Sequence, residues 1–258
     1  MKLIHSRDNP FYKELLKLTA SARNRSKAGQ TLLDGAHLLA AYLDAGMKPL
    51  HVLLNGAALQ EAEITALLAQ LDDVPVTQLD DKLFAELSEL KTATGLLALI
   101  ALPEPSVTRS HFALLLEDIQ DPGNLGSMLR SAAAAGCDAV FLSAGCTDAW
   151  SPKVLRAAMG GHFHLRIYER QDLAVVAKTF PGRLLAASLQ ATCSLYACDL
   201  TGNVTFMIGN EGAGLSAALI SHATHPFRIP MPGGIESLNA ASAAAICLFE
   251  AVRQRLPN

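Results

Sequence analysis

Apolar residues in the first hundred positions fall into short runs of strand length, at 31–33, 50–54, 75–77 and 95–100. Between them, helical spacing runs over 58–71 and 80–90. The pattern predicts a small α/β layer. Residues 102–106, Leu-Pro-Glu-Pro-Ser, then interrupt any regular element, because each proline lacks an amide donor and restricts the residue before it. From His111 the alternation restarts, with strands expected over 113–116, 139–142, 163–167, 184–187, 204–208 and 227–229 and helices in the gaps. Strand, helix, strand at this spacing predicts a parallel sheet covered on both faces. The last helix, about 239–255, is Ala-rich and weakly polar, so it needs a partner, either its own sheet or a second copy of the chain. The expected division is a domain over 1–101, a linker over 102–106 and a second domain over 107–258.

At 258 residues and 50% hydrophobic content the chain can bury two modest cores. Its five cysteines, at 137, 146, 193, 198 and 247, form no C-x-x-C pair and do not cluster with histidine at zinc spacing. That argues against a disulfide framework and against a metal site, and points to a reducing cytoplasm. No apolar run of signal-peptide type opens the chain, and Asp or Lys interrupts later apolar stretches before membrane-spanning length, so a soluble protein is expected. The net charge of −3 is unevenly spread. Residues 1–27 carry seven basic side chains against Asp8 and Glu14, an excess of five, which leaves −8 for the remainder. A basic arm on an acidic body predicts a polyanion contacted at one end, with Arg7, Lys13, Arg23 and Arg25 as candidate RNA contacts, although a solvated helix face accounts for the same charges.

Three segments concentrate the candidate chemistry: Asp121-Pro-Gly-Asn-Leu-Gly-Ser-Met-Leu-Arg130, Ile208-Gly-Asn-Glu-Gly-Ala-Gly-Leu-Ser216 and Ile229-Pro-Met-Pro-Gly-Gly-Ile-Glu-Ser-Leu-Asn239. Each lies where an apolar strand gives way to a polar, Gly-rich turn, the kind of junction that presents side chains and free amides to a ligand. The glycine pattern at 209, 212 and 214 is neither a dinucleotide fingerprint nor a Walker loop and follows a late strand, which disfavours an ordinary Rossmann cofactor site. Glycines there allow close backbone approach to a flat ligand, and Ile229, Met231 and Leu238 are apolar enough to pack around an adenine. A further junction, Asp148 to Arg156 followed by Gly160-Gly-His-Phe-His164, offers Lys153 and Arg156 as phosphate contacts. His162 and His164, two apart in an expected strand, read as packing or RNA-contact residues and not as metal ligands.

In order and placement the three segments resemble the signature motifs of the SpoU/TrmH branch of the SPOUT RNA methyltransferases, over roughly residues 112 to 255. Weaker similarity reaches Ile4 to Lys13 and Gln30 to His37, which look like the substrate-binding N-terminal domain of many members. Gly123 and Ala240 stand where relatives often have a larger side chain. The resemblance implies a C-terminal parallel-sheet domain with a trefoil knot, a homodimer, and transfer of a methyl group from S-adenosylmethionine to a ribose 2′-oxygen of RNA, most readily ribosomal. It implies a cofactor pocket from Ile208, Gly209, Ile229, Met231, Ser237 and Leu238, and a catalytic set of Asn124, Arg130, Glu211, Ser237 and Asn239. Arg130 would activate the 2′-hydroxyl, either as a desolvated neutral base or as a charged group orienting a phosphate and stabilising developing alkoxide. Asn124 would fix Arg130 or the ribose, or else cap its helix, and Glu211 would hold the Arg130 guanidinium or orient its loop. Competing readings are a tRNA substrate, a noncatalytic RNA-binding or ribosome-assembly module, and a nucleotide-binding oxidoreductase, the last opposed by the missing fingerprint.

Overall fold

The structure is a computed structural model and describes residues 1–88, 95–105 and 109–256. Leu90 at the end of the second expected helix, Ser106 at the end of the expected linker, and the expected start of the second domain at 107 lie outside the described residues. The chain forms two compact units, 1–104 with 150–163, and 105–149 with 164–258.

The first unit is built on β1 (Lys2–Ile4), β2 (Gln30–Asp34), β3 (His51–Leu54), β4 (Val76–Leu79) and β5 (Leu96–Ala101), in the order β1-β4-β3-β5-β2. β4 pairs in parallel with β1 and β3, whereas β5 runs antiparallel to β3 and β2. The 1–27 segment is no arm. It supplies β1, α1 (Pro10–Ala20) and α2 (Ala22–Ala28). Asn9 caps α1 by accepting from the amides of Phe11 and Tyr12, with Pro10 at the first helical position, where a missing donor costs nothing. Tyr12, Leu15 and Leu18 recur at intervals of three and bury one face of α1 against Ile4, Leu83, Phe84 and Leu87. α3 (Ala36–Asp44), α4 (Ala62–Leu68) and α5 (Asp81–Leu87) complete this unit's own sequence-local helices. The helix expected over 58–71 is broken, because Glu61 sits in an extended conformation between a 3-10 turn, Ala58–Gln60, and α4.

The second unit holds β6 (Phe112–Leu116), α6 (Pro122–Ala134), β7 (Ala139–Ser143), β8 (Arg166–Gln171), α8 (Leu173–Thr179), β9 (Arg183–Ala187), β10 (Val204–Ile208), α9 (Ala217–Ile220), β11 (His225–Phe227) and α10 (Ala240–Arg255). The intervening α7 (Pro152–Ala158) belongs to the first unit, where it packs on β2, and the Thr31 hydroxyl donates to the Trp150 carbonyl at 3.0 Å. All pairings in the second sheet are parallel, in the order β11-β9-β10-β6-β7-β8. Central β6 and β10 are buried at every position, as unbroken apolar runs require. The strand expected over 163–167 starts later: Gly161–His164 form a 3-10 turn and β8 begins at Arg166. His162 is therefore not in a strand but buried beside the Trp150 ring, 5.0 Å between centroids. α10 packs on α6 and β10 through Ala244, Cys247, Leu248 and Ala251, so its own unit covers much of its apolar surface.

Candidate functional site

From β6 the chain proceeds outward through β7 to β8, then returns to lay β9, β10 and β11 on the opposite side. The strand order thus reverses between β6 and β10, and in open parallel sheets ligands bind beyond the carboxyl ends of strands at such a reversal. The first two motifs leave from the ends of these two strands.

After β6 the chain turns into α6, whose N-cap is Asp121 and not Asn124: the Asp121 carboxylate accepts from the Asn124 amide at 2.7 Å, and Pro122 occupies the first helical position. This frees the Asn124 side chain. Its Nδ2 donates to Glu211 Oε1, and its Oδ1 accepts from Asn239 Nδ2 at 2.9 Å. Asn239 in turn caps α10, accepting from the amides of Ala241 and Ser242 at 3.0 and 3.1 Å. A continuous Glu211–Asn124–Asn239 chain therefore joins one residue from each motif. Of the alternatives read from sequence, Glu211 holds the Asn124 amide and not the Arg130 guanidinium, which leaves its loop-orienting role, and Asn124 contacts neither Arg130 nor its own helix start, which leaves the ribose.

Arg130 is exposed, and no hydrogen bond or ion pair among the described residues engages its guanidinium. Six residues beyond Asn124, it lies roughly 120° around the helix from it. It shares the exposed side of α6 with Gly123, Ser127 and Ala134. Within the single chain Arg130 is thus not desolvated, which the neutral-base version requires.

The loop after β10 is held by its own polar groups. Asn210 Oδ1 accepts from the amides of Gly212 and Ala213, while its Nδ2 donates to the Asp118 carbonyl at 2.9 Å. Glu117 accepts from both the amide and the hydroxyl of Ser216 at 2.7 Å. Neither Asn210 nor Glu117 is among the residues singled out from sequence, although an Asn whose side chain accepts from amides two and three residues on is a recognisable turn-former. Gly209 has no room for a side chain: a Cβ there would lie 2.2 Å from the carbonyl carbon and oxygen of Gly214.

These loops enclose a cavity of about 290 Å³, close to the lower end of the roughly 300–1,000 Å³ usual for small-molecule sites. Ile208, Gly209, Ile229, Met231, Ser237 and Leu238 all line it, and so does Glu211. Asn124, Arg130 and Asn239 do not. The walls also include Ser188, Leu189, Gln190 and Arg228, which the motifs do not contain. The stretch 188–190 follows β9, so its place at the site depends on β9 lying beside β10 and β11. Apolar walls, a glycine pressed against neighbouring backbone and a few polar groups at the rim fit an adenine-bearing cofactor such as S-adenosylmethionine. Among the described residues no cluster of three or more His, Cys, Asp or Glu could hold a metal ion, and no helix is long and apolar enough to cross a membrane.

The candidate RNA contacts lie in the first unit and differ among themselves. Arg7 pairs with Glu86 at 2.7 Å, and Lys13 with Asp8 at 2.8 Å, both exposed. The Tyr12 hydroxyl and the Arg7 guanidinium hold the Glu86 carboxyl below its ordinary range. Arg25 does not present itself to a ligand: it is buried, and its guanidinium donates to the carbonyls of Leu18 and Thr19 at the end of α1. Arg23 is exposed, as are Lys153 and Arg156 on α7. Arg156 borders a second cavity, of about 460 Å³, together with His37, Glu61 and Glu63.

Residues 111–249 match the SpoU rRNA Methylase family, and residues 9–98 match the MRM3-like substrate binding domain. The chain is 33% identical to an uncharacterised tRNA/rRNA methyltransferase of Synechocystis, over 98% of this chain and 94% of that one. It is 32% identical to the 23S rRNA (guanosine-2′-O)-methyltransferase RlmP of Bacillus subtilis, over 96% and 98%. The SpoU methyltransferase AviRb of Streptomyces viridochromogenes, solved in complex with AdoMet, superposes with a TM-score of 0.84 at 28% identity, covering 96% of this chain and 98% of that one.

Proposed function

The chain belongs to the SpoU rRNA methylase family, and we propose on that premise that it methylates a ribose 2′-hydroxyl of 23S rRNA, using S-adenosylmethionine. The observation that carries this reading is the cavity beyond the carboxyl ends of β9, β10 and β11, whose wall contains all six residues that the motifs offer to the cofactor. When bound there, S-adenosylmethionine supplies an electrophilic methyl group on its sulfonium. The protein's part is to align the acceptor oxygen with that methyl group, and orientation of this kind contributes roughly 7–11 kcal/mol.

In this reading Ile208, Ile229, Met231 and Leu238 form the apolar slot, Gly209 lets the backbone close around it, and Ser237 adds a hydroxyl at the rim. The Glu211–Asn124–Asn239 chain holds the three motif loops in register. Arg130 acts as a charged group that orients a substrate phosphate and stabilises negative charge developing on the 2′-oxygen. Its exposed guanidinium favours this role over that of a neutral base. Because Arg130 does not line the cavity of its own chain, the reading includes a homodimer, in which the exposed side of α6 brings Arg130 to the partner's cavity. The second unit, 105–149 with 164–258, and the knot that the resemblance implies carry the chemistry. Residues 1–101, joined through 102–106 and accompanied by α7, hold the RNA. The cytoplasm, where ribosomal RNA is reached, is the proposed location.

The test is to incubate the purified chain and isotopically labelled S-adenosylmethionine with 23S rRNA, tRNA and 16S rRNA in parallel, then map ribose methylation. A single 2′-O-methylated nucleotide in 23S rRNA is expected. Label confined to tRNA would move the substrate, and no label with any RNA despite cofactor binding would leave a noncatalytic module.

A further inference from the structure

The segment between β9 and β10 carries two thiols that this reaction does not use. Cys193 is exposed and Cys198 buried, and their Sγ atoms stand 3.9 Å apart. Both sulfurs face the Ser194 carbonyl at 3.5 Å. A 3-10 turn, Leu195–Ala197, curls the chain back so that residues five apart in sequence meet, with the amides of Ala197 and Cys198 donating to the carbonyls of Ser194 and Leu195. The same segment braces the cavity wall. The Arg228 amide donates to the Cys193 carbonyl, and the Leu195 amide donates to the Arg228 carbonyl, each at 2.8 Å. Arg228 itself lines the cavity, between Phe227 and Ile229.

We propose that Cys193 and Cys198 are a modification site, closing a reversible intramolecular disulfide with a low-molecular-weight disulfide such as oxidised glutathione and thereby stapling the loop that braces the cavity wall. The exposed Cys193 thiolate attacks one sulfur of the oxidant, forming a mixed disulfide and releasing one glutathione thiol. Cys198 then gives up its proton and attacks Cys193 Sγ, displacing the second glutathione thiol. Two protein thiols lose two electrons and two protons, and one glutathione disulfide becomes two thiols. The order follows from the surroundings: Cys193 is exposed and meets the oxidant first, whereas Cys198 is buried beside Cys193 Sγ, its thiol pushed up by burial and by the neighbouring Cys193. A disulfide needs about 2.05 Å between sulfurs, so the gap to close is about 1.9 Å, within the swing of the two side chains. The remaining thiols are placed otherwise, Cys137 and Cys247 buried and Cys146 bonded to the Leu116 carbonyl. The staple concerns the wall itself, whichever small molecule the cavity holds.

The experiment uses the full chain equilibrated with excess oxidised glutathione, quenched with acid, alkylated and mapped by mass spectrometry. The wild type should lose two alkylatable thiols without retaining glutathione, should yield a peptide linked between positions 193 and 198, and should recover both thiols with dithiothreitol. Cys198→Ser should instead keep one glutathione on Cys193. In the oxidised wild type, hydrogen exchange at the amides of Leu195 and Arg228 should slow by about tenfold, because a closed loop opens less often. A wild type that stops at the mixed disulfide, or that links chain to chain through Cys193, overturns the site. A disulfide that forms while both exchange rates stay unchanged overturns the staple.

Discussion

Replacing Gly209 by Ala tests the cavity at its tightest point. A Cβ at 209 would stand 2.2 Å from both the carbon and the oxygen of the Gly214 carbonyl and 2.4 Å from the Leu215 nitrogen. All three are backbone atoms, so no rotamer change relieves the clash and the 209–214 loop must move. Overpacking of this kind costs about 1–3 kcal/mol. If the strain is relieved by opening the loop, it is expressed as weaker cofactor binding, and at about 1.4 kcal/mol per decade the dissociation constant rises roughly five- to hundredfold. If the loop holds, the same cost appears as lost stability. Calorimetric titration with S-adenosylmethionine and chemical denaturation of the same sample measure both. Two glycines nearby serve as controls. At Gly233 a Cβ meets nothing within 4 Å, so Gly233→Ala should change stability by less than about 0.5 kcal/mol. Gly214 has open space but a φ of +68°, so Gly214→Ala should cost about 1 kcal/mol through backbone strain alone. A Gly209→Ala chain with wild-type stability and wild-type cofactor affinity would refute the packing argument and the cavity's assignment together.

Arg130→Ala should abolish methyl transfer while leaving cofactor affinity unchanged, because Arg130 lies outside the cavity wall. If the homodimer reading holds, co-refolding it with Gly209→Ala should restore part of the wild-type rate, and no recovery in mixed dimers would place Arg130 at its own chain's cavity. Asn124→Ala removes the middle of the Glu211–Asn124–Asn239 chain and should cost about 0.5–1.5 kcal/mol in denaturation, with methylation falling more than cofactor affinity in single-turnover assays. Among the basic residues, neutralising Arg23, Lys153 and Arg156 should flatten the salt dependence of RNA binding by about 0.7–0.9 in log-log slope for each phosphate left without its cation. Arg25→Ala should instead lower stability by roughly 1.5–3 kcal/mol with the salt slope unchanged, since its guanidinium holds helix carbonyls.

What could be read without coordinates was what sequence-local physics controls. The apolar runs that became β6 and β10 were legible because buried central strands need unbroken hydrophobicity. The start of α6 was legible near Asn124, although its cap fell to Asp121, and the start of the last helix near 239 was legible, where Asn239 caps α10. The five motif polar residues and the six cavity residues were found from their resemblance to a family pattern, and adjacency in the strand order was not needed to find them. Adjacency itself came only with the tertiary structure. That Glu211 turns to Asn124 and leaves Arg130 free, that residues after β9 complete the cavity, and that α7 leaves its sequence neighbours for the first unit's sheet all depend on which distant segments meet. The basic 1–27 segment shows the same boundary. Its charges are plain in the sequence, but whether each is free, ion-paired or spent on a helix end is set by what packs beside it, as Arg23, Arg7 and Arg25 show in turn. Periodicity reports the face a residue presents, whereas the hydrogen-bond partner it finds there is supplied by segments about a hundred residues away, as Glu211 is for Asn124.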